Sequence, residues 1–251
     1  MKVPDQIWRP PPAHVVLSSH EVHVWRASLD LTASRREGLL QYLSADELKR
    51  AERFHFAKDR ARFIVGRGLL RAILSRYLNI DPSQLRFDCT AHGKPALAAG
   101  FSEAALSFNL SHSDELALYA IARSREIGID LERIRYDRAN VQIAQRFFSP
   151  REIMSLRGLP ASRRSETFFQ LWTRKEAYLK ARGEGLSFPL EQCEVSAIRG
   201  EVATPMSLSG DSQKTSCWHI QDLFPGFGYA AAIVVEGGGW NLSCWQWSET
   251  A

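Results

Sequence analysis

The stretch from Glu126 to Arg133, EIGIDLER, constrains this chain more than any other. Ile127, Ile129 and Leu131 alternate with Gly128, Asp130 and Glu132, the period-two pattern of a strand with one apolar face. The other face carries two carboxylates whose Cα atoms lie roughly 6.7 Å apart. Like charges that close repel, so the fold must bring something positive to them. Gly128 leaves the backbone bare beside them, where a ligand or a neighbouring backbone can come close.

The rest of the chain has the material for a folded protein around this strand. It has 251 residues, 45% hydrophobic and 24% charged, an ordinary globular composition that allows one large domain or two smaller ones. Cys89, Cys193, Cys217 and Cys244 form no C-x-x-C pair, so neither a zinc site nor a disulfide framework is indicated, and a reducing cytoplasm fits best. The opening MKVPDQIWRPPPAH lacks the apolar run of a signal peptide, and no later run is long enough to cross a membrane. A cytoplasmic protein without a membrane partner is expected, with incidental sequons at Asn109 and Asn241. The net charge of +4 favours an anionic partner: a nucleic acid, a phosphorylated cofactor or an acidic protein.

Hydrophobic periods divide the chain as follows. HEVHVWRASLDL reads as a strand, and LSADELKRAERFHF as a helix whose Ser44 and Glu47 have capping-box spacing. KDRARFIVGRGLLRAILSRYL is a long amphipathic helix with Phe63, Leu70, Ile73, Leu74 and Tyr77 on its apolar side. Asp81 and Pro82 begin a short helical turn before the strand LRFDC, and HGKPAL is a turn. Strands LSFNLS and LALYAIA flank a polar link, HSDE, and EIGIDLER is expected to follow them as a meander.

Asp137 to Phe148 is patterned as a helix, and Ser149, Pro150 and Glu152 mark the start of another. RRSETFFQLWTRKEAYLKARGEGL is a long helix stopped by Gly183 and Gly185. The tail reads as strands CEVSAI, CWHIQDL, YAAAIVVE and WNLSCWQW. This mixed order predicts an α+β fold. The halves share a loose order, strand then helices, which predicts two related lobes, residues 1–122 and 123–251.

On the long second helix, Trp172, Glu176 and Lys180 are spaced to rise along one face. An exposed Glu176–Lys180 ion pair worth roughly 0.3–0.5 kcal/mol is the simplest reading. Phe168, Leu171, Tyr178 and Leu179 argue instead that much of the helix is buried, where a carboxylate needs a partner or a metal. If Glu176 faces Asp130 and Glu132, the oxygen-only set suits Mg²⁺, which bridges protein carboxylates to substrate phosphates. Ser111 and His112 could hydrogen-bond a phosphate, and no local Ser-His-Asp signature is present. Lys94, on its tight turn, is either solvated or a phosphate contact.

Two alternatives stand beside an Mg²⁺-dependent enzyme acting on a phosphate-containing substrate. A nucleic-acid-binding domain would use the Arg-rich helices, although no recognition motif or aromatic platform appears. Another Mg²⁺-dependent nucleotide-processing enzyme would use the same carboxylates, although the chain has no P-loop or G-x-G-x-x-G fingerprint.

IGIDLERI, then FFSPREIMSL, then LWTRKEAYLKARGEGLSFPL together resemble the paired signature of the 4′-phosphopantetheinyl transferases, W-x-x-K-E-A-x-x-K-x-x-G-x-G-L being its second half. The resemblance extends through GKP and FNLSHS into FHFAKDRARFIVGR, most of residues 43–190. The length is similar to the single-chain, two-lobed type that serves peptide and polyketide synthases, which implies a pseudo-twofold fold, a monomer, and a ligand between the lobes.

What the resemblance implies is transfer of the 4′-phosphopantetheine arm of coenzyme A to a serine of an acyl or peptidyl carrier protein, with release of adenosine 3′,5′-bisphosphate. Asp130, Glu132 and Glu176 would be the Mg²⁺ ligands. Glu176 would also accept the serine proton, Lys180 would stabilise or protonate the leaving phosphate, and His112 would complete the catalytic set. Lys94, Ser111, His112 and Lys180 would contact coenzyme A, and Arg50, Lys58 and Arg62 would hold its 3′-phosphate. Glu47 and Phe63 depart from the lysine and threonine of some relatives, which implies rearranged contacts to adenine and the 3′-phosphate. Glu152 matches a family glutamate, but its capping box explains it, and Trp172 is expected to pack. The carrier is expected to be acidic and helical and to meet the segment from Tyr136 to Arg164, with Phe147, Phe148, Met154 and Leu156.

Overall fold

The same order of elements occurs twice. In the computed structural model, which describes residues 8–90, 93–136, 141–183, 189–195 and 218–248, strand β1 (Glu21–Ser28) precedes helices α1 (Ala33–Leu40), α2 (Ala45–Glu52) and α3 (Ala57–Leu78). A small hairpin, β2 (Phe87–Cys89) and β3 (Pro95–Leu97), and strands β4 (Leu106–Ser113) and β5 (Leu116–Arg123) complete the first round. The second runs β6 (Ile127–Arg133), α4 (Val141–Phe147), α5 (Pro150–Gly158), α6 (Ala161–Arg182), β7 (Trp218–Leu223) and β8 (Tyr229–Glu236). Strand β9 (Asn241–Gln246) follows.

The sheets repeat as well. One has the order β4-β5-β1-β9, the other β6-β8-β7, so β4-β5-β1 in the first lobe corresponds to β7-β8-β6 in the second. In each lobe the opening strand pairs antiparallel with the last of its round, and that strand pairs antiparallel with the one before it. The architecture is α+β with two similar lobes. Strand β9 lies parallel to β1 in the first sheet, so the chain returns to the first lobe at its end.

One buried device makes the repeat explicit. Ser44 caps α2 and Ser149 caps α5, each in a capping box with a glutamate three residues on. Glu47 takes the Arg71 guanidinium at 2.8 Å, and Glu152 takes the Lys175 ammonium at 2.9 Å. Arg71 and Lys175 hold the same position in their 22-residue helices. Each also donates to two carbonyls three residues apart: Pro82 and Leu85 for Arg71, Leu190 and Cys193 for Lys175. Charge and place are kept while residue identity is not, which is why the repeat is faint in sequence.

Three apolar layers follow. α3 packs with β1 and β5 around Trp25, Leu69, Ile73 and Tyr119. α6 packs on the second sheet around Phe168, Leu171, Ala177 and Ala232. Between the sheets, Ile127, Ile129 and Leu131 of β6 bury fully against Val22, Val24, Leu118 and Ala120. The apolar face of EIGIDLER is therefore the seam between the lobes, and burying each of those side chains stabilises by about 1.5–3 kcal/mol.

Several expectations are corrected. Helix α2 ends at Glu52, four residues short of the Phe56 limit read from its pattern. The strand LSFNLS continues through Ser113, so His112 is a strand residue rather than part of a link, and the reversal is Asp114–Glu115 with Asp114 at φ 51°. β6 does not continue a meander with β4 and β5. After Ser124, at φ 54°, the chain leaves the first sheet and β6 pairs with β8. Of CEVSAI, Cys193 to Val195 form no strand and the remainder lies outside the described residues, as do Gly185 and residues 137–140 of the helix read from Asp137. Gly183, at φ 69°, ends α6 as expected.

Candidate active site

Gly128 decides where α6 lies. A β-carbon at this position would overlap the carbonyl oxygen of Ala177 and the amide nitrogen of Ala181, so only glycine lets the helix backbone rest on β6. The residues preceding those two alanines are Glu176 and Lys180. Close packing at Gly128 thus delivers them to the strand that carries Asp130 and Glu132.

The positive group that EIGIDLER requires is Lys180. Its Nζ lies 2.7 Å from Asp130 Oδ1 and 3.0 Å from Ser111 Oγ, and Ser111 Oγ donates to Asp130 Oδ1 at 2.9 Å. The exposed Glu176–Lys180 pair read from helical spacing is replaced by this bond across elements. Asp130 is only 4% exposed, and its Oδ2 is buried with no hydrogen-bond partner among the described residues.

The other two carboxylates feel that charge. Burial and then the Asp130 carboxylate push Glu176 up to about 7, with Glu132 adding to the rise and Lys180 opposing it. Burial and Asp130 also raise Glu132, against the Ser113 hydroxyl, Lys180 and Arg135. A glutamate poised near 7 beside an ammonium is suited to accept a proton.

His112 is exposed on β4, and desolvation, then Lys180 and Arg62, hold its imidazole below its ordinary value. Lys94 is neither solvated nor unengaged. Its Nζ donates to Glu126 Oε2 at 3.1 Å, Ile127 O at 3.2 Å and Ala181 O at 3.3 Å, tying the start of β6 to the end of α6.

The first-lobe cations stand apart from the carboxylates. Arg62 grips Asp30 through two bonds, of 2.9 and 3.1 Å, and Lys58 is exposed one helical turn away. Arg50 lies over the Phe63 ring at 5.4 Å, beside a cavity of about 620 Å³ that Asp46, Lys49, Arg53 and Phe54 also line. The structure thus brings together Asp130, Glu132, Glu176, Lys180, Ser111 and His112, with Lys94 at the end of the same helix. It does not bring Arg50 into that group.

Two residues escaped the sequence reading. Ser113 Oγ donates to Glu132 Oε2 at 3.1 Å, and Asn109 Oδ1 accepts from the Ile129 amide at 2.9 Å. The alternation of polar side chains at 109, 111 and 113 was the available signal.

Other expectations are settled by packing. Glu152 accepts from the amides of Ser149 and Val195, each at 2.8 Å, besides Lys175, so both its oxygens are spent on structure. Trp172 stacks on Phe168 and meets the edge of Phe147. Of the apolar residues assigned to the carrier surface, Phe148 and Leu156 are core, while Met154 and Tyr136 are exposed at 65% and 71%.

Whether the carboxylates suit a metal can be read from their chemistry. Among the described residues no group of three His, Cys, Asp or Glu side chains is already arranged as a metal cage. The orphaned Asp130 Oδ2, with Glu132 and Glu176 raised by burial and then by the Asp130 charge, nevertheless forms an oxygen-only donor set that added positive charge would stabilise. That fits a hard cation such as Mg²⁺, which keeps several waters and needs few protein ligands.

Two family models match the chain. One, described as the 4′-phosphopantetheinyl transferase superfamily, covers residues 126–234, and one, described as 4′-phosphopantetheinyl transferase, N-terminal, covers residues 30–124. The chain is 44% identical over 240 residues to the 4′-phosphopantetheinyl transferase HetI of Nostoc sp., covering 96% of this chain and 98% of that one. It is 32% identical over 205 residues to the 4′-phosphopantetheinyl transferase Sfp of Bacillus subtilis, covering 81% and 88%.

Proposed function

The chain belongs to the 4′-phosphopantetheinyl transferase superfamily, and we propose that it moves the 4′-phosphopantetheine arm of coenzyme A onto a serine of an acyl or peptidyl carrier protein, releasing adenosine 3′,5′-bisphosphate. The observation that carries this reading is the meeting of Lys180 with Asp130 and Ser111 beside the Glu132 and Glu176 carboxylates, where α6 rests on β6 at Gly128. Phosphoryl transfer needs positioning and charge compensation more than covalent help, and both are present.

Asp130, Glu132 and Glu176 would hold Mg²⁺ in this reading, and the bound ion would supply positive charge to offset that of the coenzyme A pyrophosphate. Glu176 accepts the proton of the carrier serine, directly or through a water. Lys180 turns from Asp130 to the leaving phosphate and neutralises it. His112, exposed on β4, donates a ring N–H to a phosphate oxygen, with Ser111 beside it.

Arg50 and Lys58, both exposed, hold the 3′-phosphate, while Arg62 contributes its charge from its bond with Asp30. Lys94 reaches a phosphate only by giving up one of its three acceptors. The enzyme works as a cytoplasmic monomer on an acidic carrier of the peptide or polyketide synthase type. Incubation with coenzyme A, Mg²⁺ and an apo carrier should raise the carrier's mass by one phosphopantetheine arm. No gain with any of several carriers would overturn the proposal.

A further inference from the structure

The lobes meet along β4 and β6 without a backbone ladder. β6 spends one edge on β8. From its other edge the amides of Ile129, Leu131 and Arg133 donate to Asn109 Oδ1 at 2.9 Å, Ser111 Oγ at 3.2 Å and Ser113 Oγ at 3.0 Å. Alternate side chains of β4 thus take alternate amides of β6 in step, where strand carbonyls would otherwise serve. The next residues brace the junction: Asp114 pairs with Arg135 at 2.6 Å, and Glu115 with Arg133 at 3.8 Å.

A serine hydroxyl has one proton to give. Ser113 accepts from the Arg133 amide and commits that proton to Glu132 Oε2 at 3.1 Å. We infer that Ser113 is a positioning residue for phosphopantetheinyl transfer: anchored on the backbone of β6, it aims the Glu132 carboxylate toward the space shared with Asp130 and Glu176, and does so from the opposite lobe. The inference rests on the reading of those carboxylates as the metal-holding groups. Without the hydroxyl, Glu132 keeps its charge but loses the bond that selects one rotamer. Asn109 is the internal contrast: its Oδ1 accepts from the Ile129 amide, a bond to β6 that involves no carboxylate.

The test uses Mn²⁺ alone, titrated into the full chain with free Mn²⁺ followed by electron paramagnetic resonance. Ser113→Ala should weaken binding about tenfold or more, as loss of a bond that orients a metal ligand does. Ser113→Thr, which keeps the hydroxyl, should restore it. Ser113→Cys, near-isosteric with a weak donor, should behave as Ala and carries the comparison if Ser113→Ala does not fold. Asn109→Ala should lower the melting temperature and leave Mn²⁺ affinity unchanged. In transfer assays, Ser113→Ala should raise the Mg²⁺ concentration for half-maximal rate more than it lowers the saturated rate.

Unchanged Mn²⁺ affinity in folded Ser113→Ala or Ser113→Cys would overturn the inference. So would a loss in Ser113→Thr equal to that in Ser113→Ala, or an equal loss in Asn109→Ala, which would assign the effect to the interface. A wild-type chain that neither binds Mn²⁺ nor transfers the arm would remove the underlying reading of the site. Wild-type binding with an indifferent Ser113→Ala removes this inference alone.

Discussion

Lys180 Nζ reaches Asp130 Oδ1 at 2.7 Å because the backbone of α6 rests on β6 at Gly128. A glycine thus sets the distance between two charged residues.

Gly128→Ala must therefore lift the helix from the strand. Overpacking of this kind costs about 3 kcal/mol or more when the obstacle is backbone, and urea unfolding should show it. Because a misplacement of about 1 Å can cost 10²-fold in rate, transfer should fall by at least that factor in protein that is still folded.

Lys180→Met removes a cation that opposes the rise of Glu176. In the metal-free protein the Glu176 titration, followed by carboxyl-carbon NMR, should move upward from about 7. Transfer at saturating coenzyme A should drop by about 10² or more, since the leaving phosphate loses its neutralising group.

The Glu152–Lys175 pair is buried at 2% and 0% exposure, with the ammonium also over the Phe148 ring. Lys175→Met strands a buried carboxylate and should cost about 3–5 kcal/mol. Adding Glu152→Gln should cost less than the two single changes summed, because the second removes the charge that the first left unpaired. Denaturant unfolding of the three variants gives the coupling directly.

His23 supplies the pH dependence of the first lobe. Its Nδ1 lies 2.9 Å from Tyr77 Oη, which accepts from Trp25 Nε1 at 2.7 Å and so has its proton for the imidazole. Burial drives His23 down to about 4 against the opposing charge of Glu21, with the Trp245 ring on its other side. The unfolded chain binds this proton near 6.5 and the folded chain only near 4, so stability falls as pH drops through that window. The loss is about 3 kcal/mol when complete. His23→Gln should flatten the wild-type dependence between those values in pH-resolved thermal unfolding.

What was legible in the sequence was local. The capping boxes at Ser44 and Ser149, the two long helices and the carboxylate face of EIGIDLER follow from periods and caps that a few residues fix. The junction of β6 with β4 and the return of β9 to β1 were not legible, because their partners are chosen by shapes that only the assembled lobes present. Lys94 shows the same limit: its acceptors come from Glu126, Ile127 and Ala181, and no window around HGKP contains them. Ser113 was concealed by reading HSDE as a link, which hid the alternation that begins at Asn109.

The central claim is that the Asp130 cluster at the β6–α6 contact performs the transfer. The most direct test measures adenosine 3′,5′-bisphosphate release and carrier mass together, with coenzyme A, Mg²⁺ and an apo carrier, for the wild type and Asp130→Ala. One nucleotide should be released for each arm gained in the wild type, and neither change should occur in folded Asp130→Ala. Wild-type rates in Asp130→Ala, or nucleotide release without carrier mass gain, would contradict the claim.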